Sequence, residues 1–364
     1  MNLRHLKTFN FRNLQSISLE PKPALNLFIG DNGQGKTNLL DAIAMGAQLK
    51  TIRVVKHNSD LILFGEQQAR VDTMFDGEST LSVSITLDSD GKIVRLNNKP
   101  TRDSQALREK IALVSFVPED LSAVMGSAGL RRRLLDQMTA SLYPSYALYY
   151  RQYERVLLQR NRLLKSPLVD LIELESFTSV LSQIAHSIEQ GRLLALSLVK
   201  PYYQEAVLKL SNAQLSSELT YLPSSLGDLK ASLDKIRAEE RARKMTLLGP
   251  HLDDLEVSLN EHPARFSASR GQARVLILAL KIAQLQAVFS HRDISPILLL
   301  DDVVGELDPD NAIRLLQVIE QLRSQTFITT TDLKTLPIDW QGAAVFGLQG
   351  GALNRKINPL CQTT

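Results

Sequence analysis

The chain has 364 residues, 44% hydrophobic and 22% charged, with a formal net charge of +3. These proportions exclude a disordered or fibrous chain, and the length suits two domains or one domain with a large insertion. One cysteine, Cys361, excludes an internal disulfide or a cysteine metal cluster. The first residues hold no uninterrupted apolar segment and no run reaches the roughly 18 apolar residues of a membrane span, so a reducing, cytoplasmic location without a membrane is expected.

In chain order, the first hundred residues alternate short apolar runs with turn signals. "LNLFI" reads as a strand, "GDNGQGKT" as a loop and "NLLDAIAMGAQL" as an amphipathic helix; "LSVSITL" and "KIVRLN" form a hairpin about Asp90-Gly91. After "IALVSFVPEDL" the pattern turns mostly helical, from about Leu130 to Arg243. Positive charge gathers there: Gly126 to Thr246 carries 17 Lys and Arg against 12 Asp and Glu, or +5, which leaves −2 for the remainder. "LEVSLN" and "PILLLDD" then read as strands, a helix follows from about Asp310 to Ser324, and "TFITTT" and "AAVFGL" are further strands. The expected fold class is α/β, one domain in two pieces, 1–125 and 247–364, split by a mostly helical insertion, 126–246.

The loop Gly30, Asp31, Asn32, Gly33, Gln34, Gly35, Lys36, Thr37 matches G-x-x-x-x-G-K-[ST] between a strand and a helix. Glycines at 30, 33 and 35 let the backbone wrap an anion, and the helix N-terminus adds a positive field. Lys36 would reach the β and γ phosphates of a nucleoside triphosphate, and Thr37 would ligate magnesium. A glycine-rich turn that only caps a helix is the competing reading; the strand and helix on either side weigh against it. The loop also needs a metal acid on a neighbouring buried strand. "PILLLDD" supplies Asp301 for magnesium and Asp302 to position the attacking water. Lys36 and Asp301 stand 265 positions apart, so the insertion lies between them.

Other features are less specific. "SASRGQAR" opens a long apolar helix, and Ser269 with Gln272 fits an S-x-x-Q capping box. "RQYERVLLQRNRLLK" holds five basic residues and one acid, and "RRR" at 131–133 is a second basic cluster; Arg155, Arg160 and Arg162 are candidates to track a phosphate backbone, against the alternative of a solvated helix face. His251 reads as a loop histidine held by neighbouring backbone, and Trp340, Tyr149 and Tyr150 as packing residues.

"FNFRNLQSISLEP", "GDNGQGKTNLLDAI", "SRGQ" and "LLLDDVVGELD" together resemble the head ATPases of the ABC and SMC superfamily. Within it, "VPEDL", "RRRLLD", "LLQRNRLLK", "GPHLDDL" and "SRGQARVLILALKIAQ" are similar to the RecF family in order and spacing. That resemblance implies an ABC/SMC-type ATPase head and an ATP site shared by two copies. The phosphate loop, Asp301 and Asp302 of one copy would face Ser269, Arg270, Gly271 and Gln272 of the other, with Asp308 at the dimer seam. It further implies a weak DNA-stimulated ATPase with ATP and Mg2+ as ligands. Its partners would be double-stranded and gapped DNA, RecO and RecR, and indirectly RecA. Four departures stand out. Asp302 replaces a frequent Glu, which implies slow hydrolysis; Arg270 replaces the first Gly of "SGGQ"; Thr329 to Thr331 stand where transporter subunits place a switch His; and Leu252 stands where relatives often carry a basic residue.

Overall fold

The computed structural model describes residues 1–53, 55–101, 105–303, 305, 307–322, 324–331 and 342–356; Trp340 and Cys361 lie outside them. The chain divides into two compact units, one of Met1–Glu119, Lys209–Asn212 and Leu278–Thr364, the other of Asp120–Leu208 and Ala213–Ile277.

The first unit holds two six-stranded sheets. One is antiparallel, in the order β2 (Leu14–Leu19), β1 (Asn2–Phe11), β4 (Ala69–Asp76), β5 (Leu81–Asp88), β6 (Gly91–Leu96), β7 (Lys99–Thr101). Every second residue of β4 and β5 is buried, the pattern of a sheet with one covered face. Asp88 pairs with Gly91, so the hairpin turn is Ser89–Asp90, one residue before the Asp90-Gly91 that the sequence picks out, and Gly91 begins β6. The other sheet runs β15 (Ala352–Lys356), β14 (Ala344–Gln349), β3 (Leu25–Ile29), β13 (Gln325–Thr330), β12 (Ile297–Leu300), β8 (Leu113–Phe116). All its pairings are parallel except β14 with β15. β12 and β13 are buried at every position; β12 is an unbroken apolar run, whereas β13 also buries Gln325, whose amide donates to the carbonyls of Leu3 and Lys22. Phe28 stacks on Phe327 with ring centroids 6.0 Å apart, inside a core that also holds the apolar face of the helix Lys36–Gln48.

The second unit is mostly helical, with Ala128–Leu142, Tyr146–Lys165 and the 40-residue helix Leu171–Leu210 as its long elements. Tyr146, Tyr153, Leu181, Ala185, Ile188 and Leu233 form its apolar cluster. A three-stranded sheet of β11 (His262–Pro263), β10 (Asp254–Leu259) and β9 (Leu219–Leu222) accompanies them. This sheet moves a border. The sequence places the end of the insertion at 246, whereas the second unit continues to Ile277 and includes β10, which pairs with β9 from Asp254↔Leu222 to Val257↔Leu219. Among the described residues one helix, Arg270–Arg292, is long and apolar enough to cross a membrane, and 78% of its apolar window is buried inside the protein.

Candidate functional site

The expected phosphate loop connects β3 to the helix Lys36–Gln48. Gly35 takes φ of 107°, and a Cβ there would lie 2.8 Å from Asn13 Oδ1, so only glycine fits both the backbone and the space. Lys36 is 4% exposed. Its ammonium donates to the carbonyls of Gly30 at 2.7 Å and Asp31 at 3.2 Å, and stands 3.8 Å from Asp302 Oδ1. The lysine therefore bridges the two ends of its own loop and the acid opposite.

β12 delivers the two acids at its carboxyl end, separated from β3 by β13. Asp301 Oδ1 accepts from Thr37 Oγ1 at 2.9 Å and from Thr329 Oγ1 at 2.8 Å. Thr329 Oγ1 in turn accepts from the Asp302 N–H at 2.8 Å. Burial pushes the Asp301 carboxyl above the usual range, with the two donated hydroxyl bonds acting against it. Asp302 is half-buried, with a left-handed φ of 50°. That is a sparsely populated region for a residue with a side chain, and strain of this kind is common at working sites. The structure thus brings together Lys36, Thr37, Asp301 and Asp302. It also gives work to Thr329, whose hydroxyl ties the two acids to β13.

Sequence reasoning passes over a second charged cluster on the same helix. Asp41 is fully buried and pairs with Arg12 Nη2 at 3.0 Å and Arg53 Nη2 at 3.0 Å. Arg53 Nη2 also donates to Asn38 Oδ1 at 2.7 Å. The helical spacing of Thr37, Asn38 and Asp41, polar residues inside an apolar helix, is the signal that points to it.

In the second unit Ser269 and Gln272 form the expected capping box. The Ser269 N–H donates to Gln272 Oε1 at 2.9 Å and the Gln272 N–H to Ser269 Oγ at 3.2 Å, a cap that contributes about 1 kcal/mol to its helix. Ser269, Arg270 and Gly271 are exposed. Asp308 is exposed as well and caps the helix Pro309–Gln321; the N–H of Asn311, donated at 3.0 Å, holds its carboxyl below the usual range. His251 is a packing residue: Nδ1 meets the Tyr153 hydroxyl at 2.7 Å, Nε2 faces the Thr246 carbonyl at 3.3 Å, and burial lowers its pKa. Tyr150 stacks on Tyr146, while Tyr149 is 41% exposed and Leu252 40%.

The basic helix Tyr146–Lys165 requires a correction. Arg151, Arg155, Arg162 and Lys165 are exposed, whereas Arg160 is 1% exposed and bound to Glu240, its Nη2 donating at 2.6 Å. Arg160 is a core residue and leaves the candidate DNA surface. Its position explains why: it lies seven residues after Tyr153 and four before Leu164, on the buried stripe of the helix. Of the "RRR" cluster, Arg131 pairs with Asp254 at 2.7 Å and Arg132 donates to the Asp253 carbonyl, which leaves Arg133 exposed.

Residues 2–346 match the RecF/RecN/SMC N terminal domain family. The chain is 35% identical to the DNA replication and repair protein RecF of Heliobacterium modesticaldum, over 98% of this chain and 99% of that protein. It is 34% identical to the protein of that name from Picosynechococcus, over 100% and 99%. Among solved structures it is similar to the recombination mediator protein RecF-ATP in the RecFOR pathway, with a TM-score of 0.87, 27% identity and 98% of each chain covered. An Smc head bound to the C-winged helix domain of ScpA shares the fold, at a TM-score of 0.60 and 16% identity. By these matches the chain belongs to the RecF family of DNA replication and repair proteins, built on an ATPase head of the RecF and SMC type.

Proposed function

We propose that this chain is an ATP-dependent DNA-binding protein of recombinational repair and replication restart, active in the cytoplasm. Two copies close over ATP and grip double-stranded DNA or a gap junction. With RecO and RecR they promote RecA loading, and slow, DNA-stimulated hydrolysis releases the DNA. The observation that carries the reading is the meeting of Lys36, Thr37, Asp301 and Asp302 at the carboxyl ends of β3 and β12.

Thr37 Oγ1 and Asp301 Oδ1, 2.9 Å apart, are hard oxygen donors of the kind magnesium takes in ones and twos beside phosphate, so the residues fit that ion. Bound there, magnesium would neutralise phosphate charge during phosphoryl transfer. The loop amides and Lys36 bind and orient the β and γ phosphates. Asp302, opposite Lys36, orients the attacking water; its short side chain favours slow turnover. Thr329 keeps both acids in register. Ser269 to Gln272 of the second copy present an exposed helix N-terminus, carrying about half a positive charge, to the γ phosphate. A ligand that touches both copies stabilises the closed pair and couples ATP to DNA affinity.

The DNA surface is tested by a salt titration of duplex binding with ATP and magnesium. Replacing Arg155 and Arg162 together by Ala is expected to weaken binding and to flatten the log–log salt slope by about 2, the release expected for two phosphate contacts. Unchanged affinity and slope remove this helix from the DNA surface, and duplex binding identical with and without ATP contradicts the switch.

A further inference from the structure

The phosphate loop is tied to its unit from two sides. In the turn between β1 and β2, Asn13 donates from Nδ2 to the Gly33 carbonyl at 3.2 Å, while its Oδ1 accepts from Asn38 Nδ2 at 2.7 Å. In the turn between β14 and β15, two backbone N–H groups donate to Gln34: Gly350 to Oε1 at 2.5 Å, and Gly351 to the main-chain carbonyl at 3.1 Å. The two turns also meet. Gly351 has φ of 77°, and a Cβ on it would lie 2.0 Å from the Asn13 carbonyl oxygen, so this contact admits no side chain.

These bonds set the direction of the loop's amides. In a planar trans peptide, the C=O of one residue and the N–H of the next point opposite ways. Holding the Gln34 carbonyl on Gly351 therefore turns the Gly35 N–H away from the β14–β15 turn. Holding the Gly33 carbonyl on Asn13 fixes the Gln34 N–H, which reaches Asp31 O at 3.4 Å. β14 is suited to the task, because it pairs in parallel with β3, the strand that leads into the loop, down to Gly347↔Ile29.

We propose that the Gly350–Gly351 turn is a positioning element of the nucleotide site: through Gln34 it sets the orientation of the phosphate-loop amides, so that the last hairpin of the described chain tunes ATP affinity. The inference rests on the reading that this loop binds ATP. Gln34, Gly350 and Gly351 act through the loop backbone and touch no reacting atom.

The test is an equilibrium titration of the full chain with magnesium and a fluorescent ATP analogue, well below each variant's melting temperature. Gly351→Ala and Gln34→Leu are each expected to weaken binding by about fivefold or more, the scale of one lost hydrogen bond. The double variant should be little weaker than Gly351→Ala alone, because displacing the turn breaks its bond to the Gln34 side chain together with the one to the main chain. Gly65→Ala, at a turn glycine of φ 89° with open space around it, serves as the control and should lower the melting temperature without moving the affinity. Wild-type affinity in Gly351→Ala and Gln34→Leu, alongside its loss in Lys36→Met, overturns this inference alone. Absence of binding by the unaltered chain overturns the ATP reading and this inference with it. If Gly351→Ala does not fold, Gln34→Leu, which alters no backbone, decides.

Discussion

Lys36→Met is expected to lower ATP turnover by about a hundredfold to a thousandfold, the cost of removing one preorganised donor from a developing negative charge. The ammonium is nearly sealed from water and held between the Gly30 and Asp31 carbonyls and the Asp302 carboxylate. In those surroundings its charge is weakly screened, and a thioether of similar length restores the bulk without the charge. The carbonyls lose their donor too, so nucleotide affinity should fall together with turnover. Asp302→Asn is expected to separate the two effects. It keeps the loop, Lys36, Thr37 and Asp301, and removes the charge that orients water, so it should bind ATP and turn it over poorly. Steady-state hydrolysis with and without duplex DNA, alongside analogue binding, measures both; near-normal turnover in Lys36→Met would mean that hydrolysis does not occur at this loop.

Arg160→Ala is expected to destabilise the second unit by about 3–5 kcal/mol, the range for a buried ion pair that loses one partner. The guanidinium donates to both oxygens of Glu240, at 2.6 and 3.0 Å, to Thr246 Oγ1 at 2.7 Å and to Thr178 Oγ1 at 3.0 Å. Glu240 is fully buried, so alanine at 160 strands a charge without water. Replacing both partners, with Arg160→Met and Glu240→Gln, should cost less than Arg160→Ala alone, because no unpaired charge remains. Urea unfolding measures the difference. An Arg160→Ala chain as stable as the unaltered one, with a flattened salt slope for DNA, would return Arg160 to the DNA surface.

The contrast between these residues shows what a sequence discloses. Gly30 to Thr37 is contiguous, and its chemistry follows from residue type and spacing alone; Asp301 is readable because an unbroken apolar run must end where a buried parallel strand ends. The capping box at Ser269 is likewise local. Arg160 misleads because charge is read before face: the Tyr153, Arg160, Leu164 stripe is visible in the sequence, but Glu240 is 80 positions away and nothing local announces it. Thr329 and the Gly350–Gly351 turn are hidden for the same reason, their partners being set by sheet order. That the second unit runs past 246 reflects a strand pair, β9 with β10, whose first member is four residues long inside an otherwise helical stretch.

Sedimentation in ATP and magnesium of the unaltered chain, Lys36→Met, Ser269→Arg and Asp302→Asn tests the central claim of a nucleotide shared by two copies. Closure over a shared site predicts that Asp302→Asn accumulates as a dimer, because it binds ATP and does not release it, while Lys36→Met and Ser269→Arg remain monomeric. A Ser269→Arg chain that dimerises like the unaltered one would contradict it, since the capped helix of the second copy would then have no part in holding the phosphate.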